Sequence, residues 1–199
     1  MLMPFSHLQK DPTRRVLDEE QATEDRLEGS KEYFSSYLMT HNTRVSIFTM
    51  ALGMTWGIGT ALLLFYNGIM LGAVALDYML AGQTRFLLGW LLPHGVIEIP
   101  AILIAGQAGF LMGNALIGWR SRIPLGARFR LIATDIVTLI SAVAIMLVWA
   151  GFVEAFLSQY HEPKIPYEAK IVFGLIELAM LIGFLGFSGK KKGPAADAS

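Results

Sequence analysis

Two residues four apart raise the question of chemistry in this 199-residue chain. His94 and Glu98 stand at i and i+4, so on a helix they share one face. An imidazole beside a carboxylate can do three things. It can form a structural hydrogen-bonded pair. It can handle protons or ions, because a neighbouring carboxylate favours the charged imidazole. It can hold a divalent metal, which accepts both ligand types. The spacing lacks the second histidine of H-E-x-x-H and its general-base glutamate. Glu154 and Glu177 are further carboxylates in apolar surroundings, and Asn67 is an amide in the same setting. Asn67, His94, Glu98, Glu154 and Glu177 form the candidate polar cluster. The metal reading draws on His94, Glu98 and Glu154. His161 joins them if the helix after Glu154 continues. No catalytic residue is assigned, because neither a serine–histidine–acid triad nor a phosphate-binding glycine loop is present.

The elements that must position these residues are membrane helices. Hydrophobic residues make up 54% of the chain and charged residues only 16%, against roughly 25% charged in a soluble domain. The formal net charge is zero, which excludes a nucleic-acid binder working by bulk positive charge. With no cysteine, disulfides and thiolate metal sites are excluded. A spanning helix needs about 20 apolar residues. Residues 45–66, 96–119, 131–152 and 171–187 qualify. The last three carry Glu98, Asp135 and Glu177 respectively. A charge at such depth costs roughly 2.5–3.5 kcal/mol on insertion scales, so each needs a reason. Asp135 lies within reach of Arg128, its expected partner.

Residues 69–92 are harder to read, because Asp77, Gly82 and Arg85 interrupt two short apolar runs. The arginines of 120–130, Lys190 to Lys192, and Lys31 with Arg44 ask for one common side under the positive-inside rule. An even number of crossings between residues 45 and 119 then follows. The fold expected is an all-α polytopic transmembrane bundle of four full spans plus a re-entrant helical hairpin over 69–92, with five or six spans as the alternative. It divides into a polar N-terminal segment, 1–44, a transmembrane domain, 45–188, and a disordered basic tail, 189–199. Within 1–44, residues 16–38 read as a helix, with Tyr33, Phe34 and Tyr37 suited to a membrane surface. Both termini are expected in the cytoplasm, with the chain in the inner membrane. Asn67 would cap the outer end of the first span, at a depth shared with His94, Glu98 and Glu154. Gly53/Gly57, Gly68/Gly72 and Gly109/Gly113 are small-xxx-small pairs that let helices approach closely.

Four pieces in order resemble the stage II sporulation protein M family. They are His41-Asn42-Thr43-Arg44-Val45 leading to Gly53 and Gly57; Asn67-Gly68 with Gly72; Pro93-His94-Gly95-Val96-Ile97-Glu98-Ile99-Pro100-Ala101 running to Gly109; and Ala150-Gly151-Phe152-Val153-Glu154-Ala155-Phe156. The family motif residues that map here are Asn67, Gly68, His94, Gly95, Glu98, Gly109 and Glu154. Of these, Gly68, Gly95 and Gly109 are structural. The resemblance implies a polytopic membrane protein with no established reaction. Its namesake serves as a membrane scaffold for two peptidoglycan-cutting partners. The functional expectation is therefore a non-enzymatic membrane component or scaffold. The alternative is a transporter or channel for an ion or small solute, using the His/Glu site. A metal-dependent intramembrane hydrolase stands third. The expected surroundings are the lipid bilayer, other membrane or envelope proteins, and copies of the same chain, without nucleic acid. No cofactor is expected, with a divalent metal as the one exception to test.

Overall fold

A computed structural model describes residues 11–21, 31–158, 160, 162 and 164–187. The expected basic tail, His161, and the side chains of Tyr33, Phe34 and Tyr37 lie outside what is described. Among the described residues every regular element is helical: α1 Pro12–Gln21, α2 Lys31–Ala51, α3 Ile58–Leu80, α4 Thr84–Ile117, α5 Leu125–Val153 and α6 Tyr167–Phe187. Helix α5 runs straight into a π-helical turn, Glu154–Ser158. Four helices are long and apolar enough to cross a membrane: Ile58–Leu80, Thr84–Ile117, Leu125–Ser158 and Tyr167–Phe187. The chain is an all-α, multi-pass membrane bundle.

Helix α4 is the centre of the bundle. It touches α2, α3, α5 and α6, and its 34 residues extend about 51 Å at 1.5 Å per residue. Its inner face is built from small residues. Ala101, Ala105, Ala108 and Gly109 are buried, with Val143 and Leu147 of α5 packed against the alanines. Outward-facing Leu62, Phe65, Ile145 and Met180 are more than half exposed, as lipid-facing side chains of a span must be. In lipid the hydrophobic effect does not press helices together, so close backbone approach has to supply the contact.

The spans begin and end elsewhere than the hydropathy suggests. Residues 69–80 are the second half of α3, and residues 84–92 are the first part of α4. No separate hairpin forms over 69–92; a tight turn at 81–83 joins two full-length helices. His94 therefore lies well inside α4 and not in a first turn. Pro93 and Pro100 are both taken into the helix, which neighbouring helices make tolerable in membranes.

The broken backbone occurs at 52–57 instead, inside the segment expected to be one continuous span. Trp56 and Gly57 both take positive φ, +56° and +79°. Threonine hydroxyls satisfy the freed groups. Thr55 Oγ1 donates to Leu52 O at 2.6 Å and accepts from Gly59 N at 2.8 Å, while Thr60 Oγ1 donates to Thr49 O at 2.7 Å. The break sits where glycines interlock. A Cβ on Gly53 would fall on the Gly109 carbonyl, and one on Gly113 would lie 2.6 Å from Gly57 N. The pairs 53/57 and 109/113 are thus packing glycines within one chain. Gly68 and Gly72 face open space, with nothing within 4 Å of an added Cβ.

The path of α2 sets which ends of the bundle meet. Asn42 lies close to Glu98, and further on the Thr49 carbonyl packs on Gly109, so α2 runs parallel to α4. Helix α1 lies at the end where α4 begins. Val16 is buried with Tyr78, Phe86, Leu87 and Tyr167, the Arg15 guanidinium sits 5.5 Å from the Tyr78 ring centroid, and Tyr167 donates to Glu20 at 2.8 Å. The arginine turn after α4 is at the other end. The helix α1 end and the arginine turn thus stand at opposite ends of α4. Arg128 reaches back to Leu116 O at 3.4 Å, over Gly118, and forms no ion pair with Asp135.

Candidate functional site

Four helices bring polar side chains together beneath an aromatic layer. From α4, His94 points toward the π-turn. Its Nδ1 lies 2.7 Å from Glu154 Oε2 and 3.0 Å from Ser158 Oγ. A π-helical turn is wider than an α-turn and recurs at functional sites; here both residues that meet His94 come from its two ends. From α6, the Lys170 ammonium donates to the Ser158 carbonyl at 2.9 Å. From α2, Asn42 lies close enough to the Glu98 carboxylate to favour its charged form. The burial is deep: His94 is 7% exposed, Glu154 2%, Ser158 and Lys170 0%. A lone buried charge is prohibitive in such surroundings. The contact of His94 with Glu154 and the hydrogen bond of Lys170 to the Ser158 carbonyl, with Lys170 and Glu154 attracting each other at longer range, make the cluster tolerable.

One hydrogen on Nδ1 cannot serve both neighbours. With the proton on Nδ1, the ring donates to Glu154. With Nδ1 bare, Ser158 donates its hydroxyl to the ring, and Glu154 Oε2 has no donor. The same set of side chains therefore supports two hydrogen-bond arrangements that differ by the position of one proton.

Glu177 is paired separately. Its Oε1 accepts from Trp149 Nε1 at 2.6 Å, while its Oε2 has no partner. It is 4% exposed and close enough to His94 to interact electrostatically. Asn67 stays apart. It is in the middle of α3 and caps nothing; Nδ2 donates to Leu63 O of its own helix at 2.8 Å. The structure thus brings His94 and Glu154 into contact, leaves Glu98 one turn along the same helix, keeps Glu177 nearby through Trp149, and spends Asn67 locally. Among the described residues no group of three His, Asp or Glu side chains is placed to hold a metal ion.

The aromatic layer separates this cluster from the α1 end. Trp90 lies edge-on to His94 at 6.1 Å, Tyr78 is 6.5 Å from Trp90, and Phe86 stacks on Tyr78 at 5.8 Å. Tyr167 meets Phe86 at 5.7 Å. Gly89 lets the Tyr167 ring lie against the α4 backbone. Outside the layer, Arg85 bridges Glu162 at 2.9 Å and Glu168 at 2.6 Å, fastening α4 to the start of α6.

Sequence reasoning missed Lys170, Ser158, Asn42 and Trp149. Lys170 was readable: Pro166 is a helix-start signal, and Lys170 falls seven residues before Glu177, on the same helix face.

Geometry of this kind defines a class, a multi-pass helical membrane protein with a polar centre closed inside the bundle. The chain belongs to the Stage II sporulation protein M family, whose match covers residues 5–159. It is also similar to an uncharacterized protein of Methanocaldococcus jannaschii, 32% identical over 74 residues, which are 37% of this chain and 42% of that protein. The chain therefore spans less than half the length of this curated relative. No solved structure matches it.

Proposed function

We propose that this protein is a non-enzymatic membrane scaffold, a bundle that holds other envelope proteins in place. One observation carries the reading: the polar centre is closed. His94, Glu154, Ser158, Lys170 and Glu177 are all at most 7% exposed and are matched mainly to one another. Hydrolysis needs a substrate atom within about 3 Å of its attacking group, and a sealed centre offers none. A hydrogen-bonded clamp joining α4, α5 and α6 instead stiffens the bundle and leaves its ends and lipid faces to partners. The resemblance to a family whose namesake works as a scaffold supports the same reading, with the inner membrane as its site.

A second reading has its own support. Nδ1 of His94, shared between Glu154 and Ser158, is the arrangement a proton-linked transporter uses, and intramembrane acids of this kind mark proton relays.

The experiment is a comparison of wild type with a Glu98→Gln, His94→Ala double variant. In-membrane cross-linking followed by purification reads partner complexes, and reconstituted liposomes read proton flux. The scaffold reading expects the cross-linked complexes to survive in the double variant and neither protein to move protons. Proton flux lost on Glu98→Gln would replace it with the transporter. Equimolar zinc lost on His94→Ala would replace it with the hydrolase.

A further inference from the structure

Arg44, in the run His41-Asn42-Thr43-Arg44-Val45, takes no part in the closed centre, and it is exposed. Helix α2 has two faces. Val45, Ser46 and Thr49 are buried against the bundle, while Ile47 and Phe48 are 53% and 60% exposed. Arg44 stands one turn before Ile47 and Phe48, on that outward apolar face. It has no hydrogen bond or ion pair among the described residues. Other basic side chains of the bundle are engaged: Arg85 by Glu162 and Glu168, Arg128 by the Leu116 carbonyl, Lys170 by the Ser158 carbonyl.

Its depth follows from its neighbours. Asn42 lies near Glu98, and Thr43 and Ser46 share a cavity lining with Ala105 and Ala108. Arg44 is therefore level with the stretch from Glu98 to Ala105, around the midpoint of α4, Thr84–Ile117. Leu64 of α3 meets Gly106, and Tyr78 stacks on Phe86, so the same level falls near the middle of Ile58–Leu80. Half of that 23-residue helix is about 17 Å long, against a hydrocarbon core of about 30 Å. Arg44 thus lies close to the midplane, farther from either headgroup layer than an arginine side chain can snorkel.

A guanidinium keeps its charge there, and an unpaired charge facing hydrocarbon is costly. It calls for a carboxylate. Among the described residues none is placed to answer it, in this chain or in a second copy inserted the same way. Asp77 precedes Tyr78, at the level of Phe86. Asp135 falls between Ile140, which shares the cavity with Ala108, and Arg128, which reaches Leu116 O. Both depths are about 10 Å or more from Arg44 at 1.5 Å per residue of α4. Glu98 is close in depth but half-buried beside Asn42.

We infer that Arg44 docks a transmembrane helix of another membrane protein, one that carries an Asp or Glu near the middle of its span. The inference rests on the scaffold reading and gives the partner a chemistry. Ile47, Phe48 and Ala51, all exposed, supply the apolar strip on which that helix lies. The guanidinium fixes its depth through a two-pronged pair with the carboxylate.

The probe is a synthetic leucine–alanine membrane helix with Glu at its centre. It is matched by one with Gln there and by one with Glu near its end. Energy transfer between labelled helix and dye-labelled full-length protein, in phosphatidylcholine liposomes, reads binding. The central-Glu helix is expected to bind saturably and roughly 5- to 30-fold tighter than the other two, the worth of one polar contact between model membrane helices. Arg44→Leu, checked for native circular dichroism, erases that difference, and Arg44→Lys keeps part of it. Equal binding of the three helices, or a central-Glu preference that survives Arg44→Leu, overturns the inference. Homodimers that Arg44→Leu dissolves overturn it too, by making a second copy the occupant. The cross-linking experiment separates the two claims. Complexes that Arg44→Leu leaves intact overturn this inference alone; wild type without complexes overturns the scaffold reading and this inference with it.

Discussion

Replacing Lys170 with methionine keeps the stem and removes the charge, so it asks what the ammonium does. Two losses follow. The Ser158 carbonyl, fully buried, loses its donor at 2.9 Å, which costs about 1–3 kcal/mol. Glu154, 2% exposed, loses the attraction of a nearby opposite charge that is not in ion-pair contact with it. Breaking a contacting buried ion pair costs roughly 3–5 kcal/mol in soluble proteins, so this second loss is smaller than that. Ordinary interhelical hydrogen bonds in a membrane average only about 0.6 kcal/mol, because the unfolded helices find other partners in lipid. The carbonyl figure and this one separate a buried clamp from ordinary polar contacts. The assay is reversible unfolding in mixed detergent micelles, with increasing SDS and circular dichroism as the readout. Lys170→Met is expected to cost about 1–3 kcal/mol, the scale of the stranded Ser158 carbonyl. Glu154→Gln added to it should cost less than it does alone, because the attraction between the two charges is already gone. A single-variant cost under about 1 kcal/mol, or strict additivity of the two changes, would refute the clamp.

Two further outcomes can be read in the same titration. Gly109→Ala places a methyl 2.6 Å from Thr60 Oγ1 and 2.8 Å from the Thr49 carbonyl and should cost about 1–3 kcal/mol of overpacking. Gly72→Ala meets nothing within 4 Å, so it should be neutral or stabilising by up to about 1 kcal/mol of helix propensity; equal losses at both sites would contradict the packing described. Trp149→Phe strands the Glu177 carboxyl, whose other oxygen already lacks a partner, and should cost about 1–3 kcal/mol. Adding Glu177→Leu should recover most of that loss, and a double variant as unstable as Trp149→Phe alone would count against the pairing.

How far the sequence carried depended on the kind of signal. Long apolar runs betray spans because lipid leaves few other choices; the last span was legible to within its first turn, and the one before it was read six residues short at each end. The first was not legible. Residues 52–57 are apolar or small, and hydropathy cannot tell a helix from a break whose carbonyls are satisfied by Thr55 and Thr60 across the turn. Gly82 and Arg85 looked like the interruption at depth, yet they mark only the surface turn between α3 and α4. In the candidate site, His94 and Glu154 were legible as costly polar residues on separate helices, and three-dimensional packing supplied their contact. Lys170 looked like a loop charge because Lys164 and the prolines precede it; its ammonium turns inward only because the wide turn at Glu154–Ser158 presents a carbonyl there. Asn67 shows the converse, an amide within a span that its own helix satisfies.

The opposed placement of α1 and the arginine turn has a topographic consequence. Helix α4 runs between them, so a ligand reading Arg15 or Glu20 and another reading Arg120 or Arg122 meet opposite ends of the bundle. The packed path between them runs through Tyr78 and Tyr167, past the imidazole, and down the alanine face of the central helix.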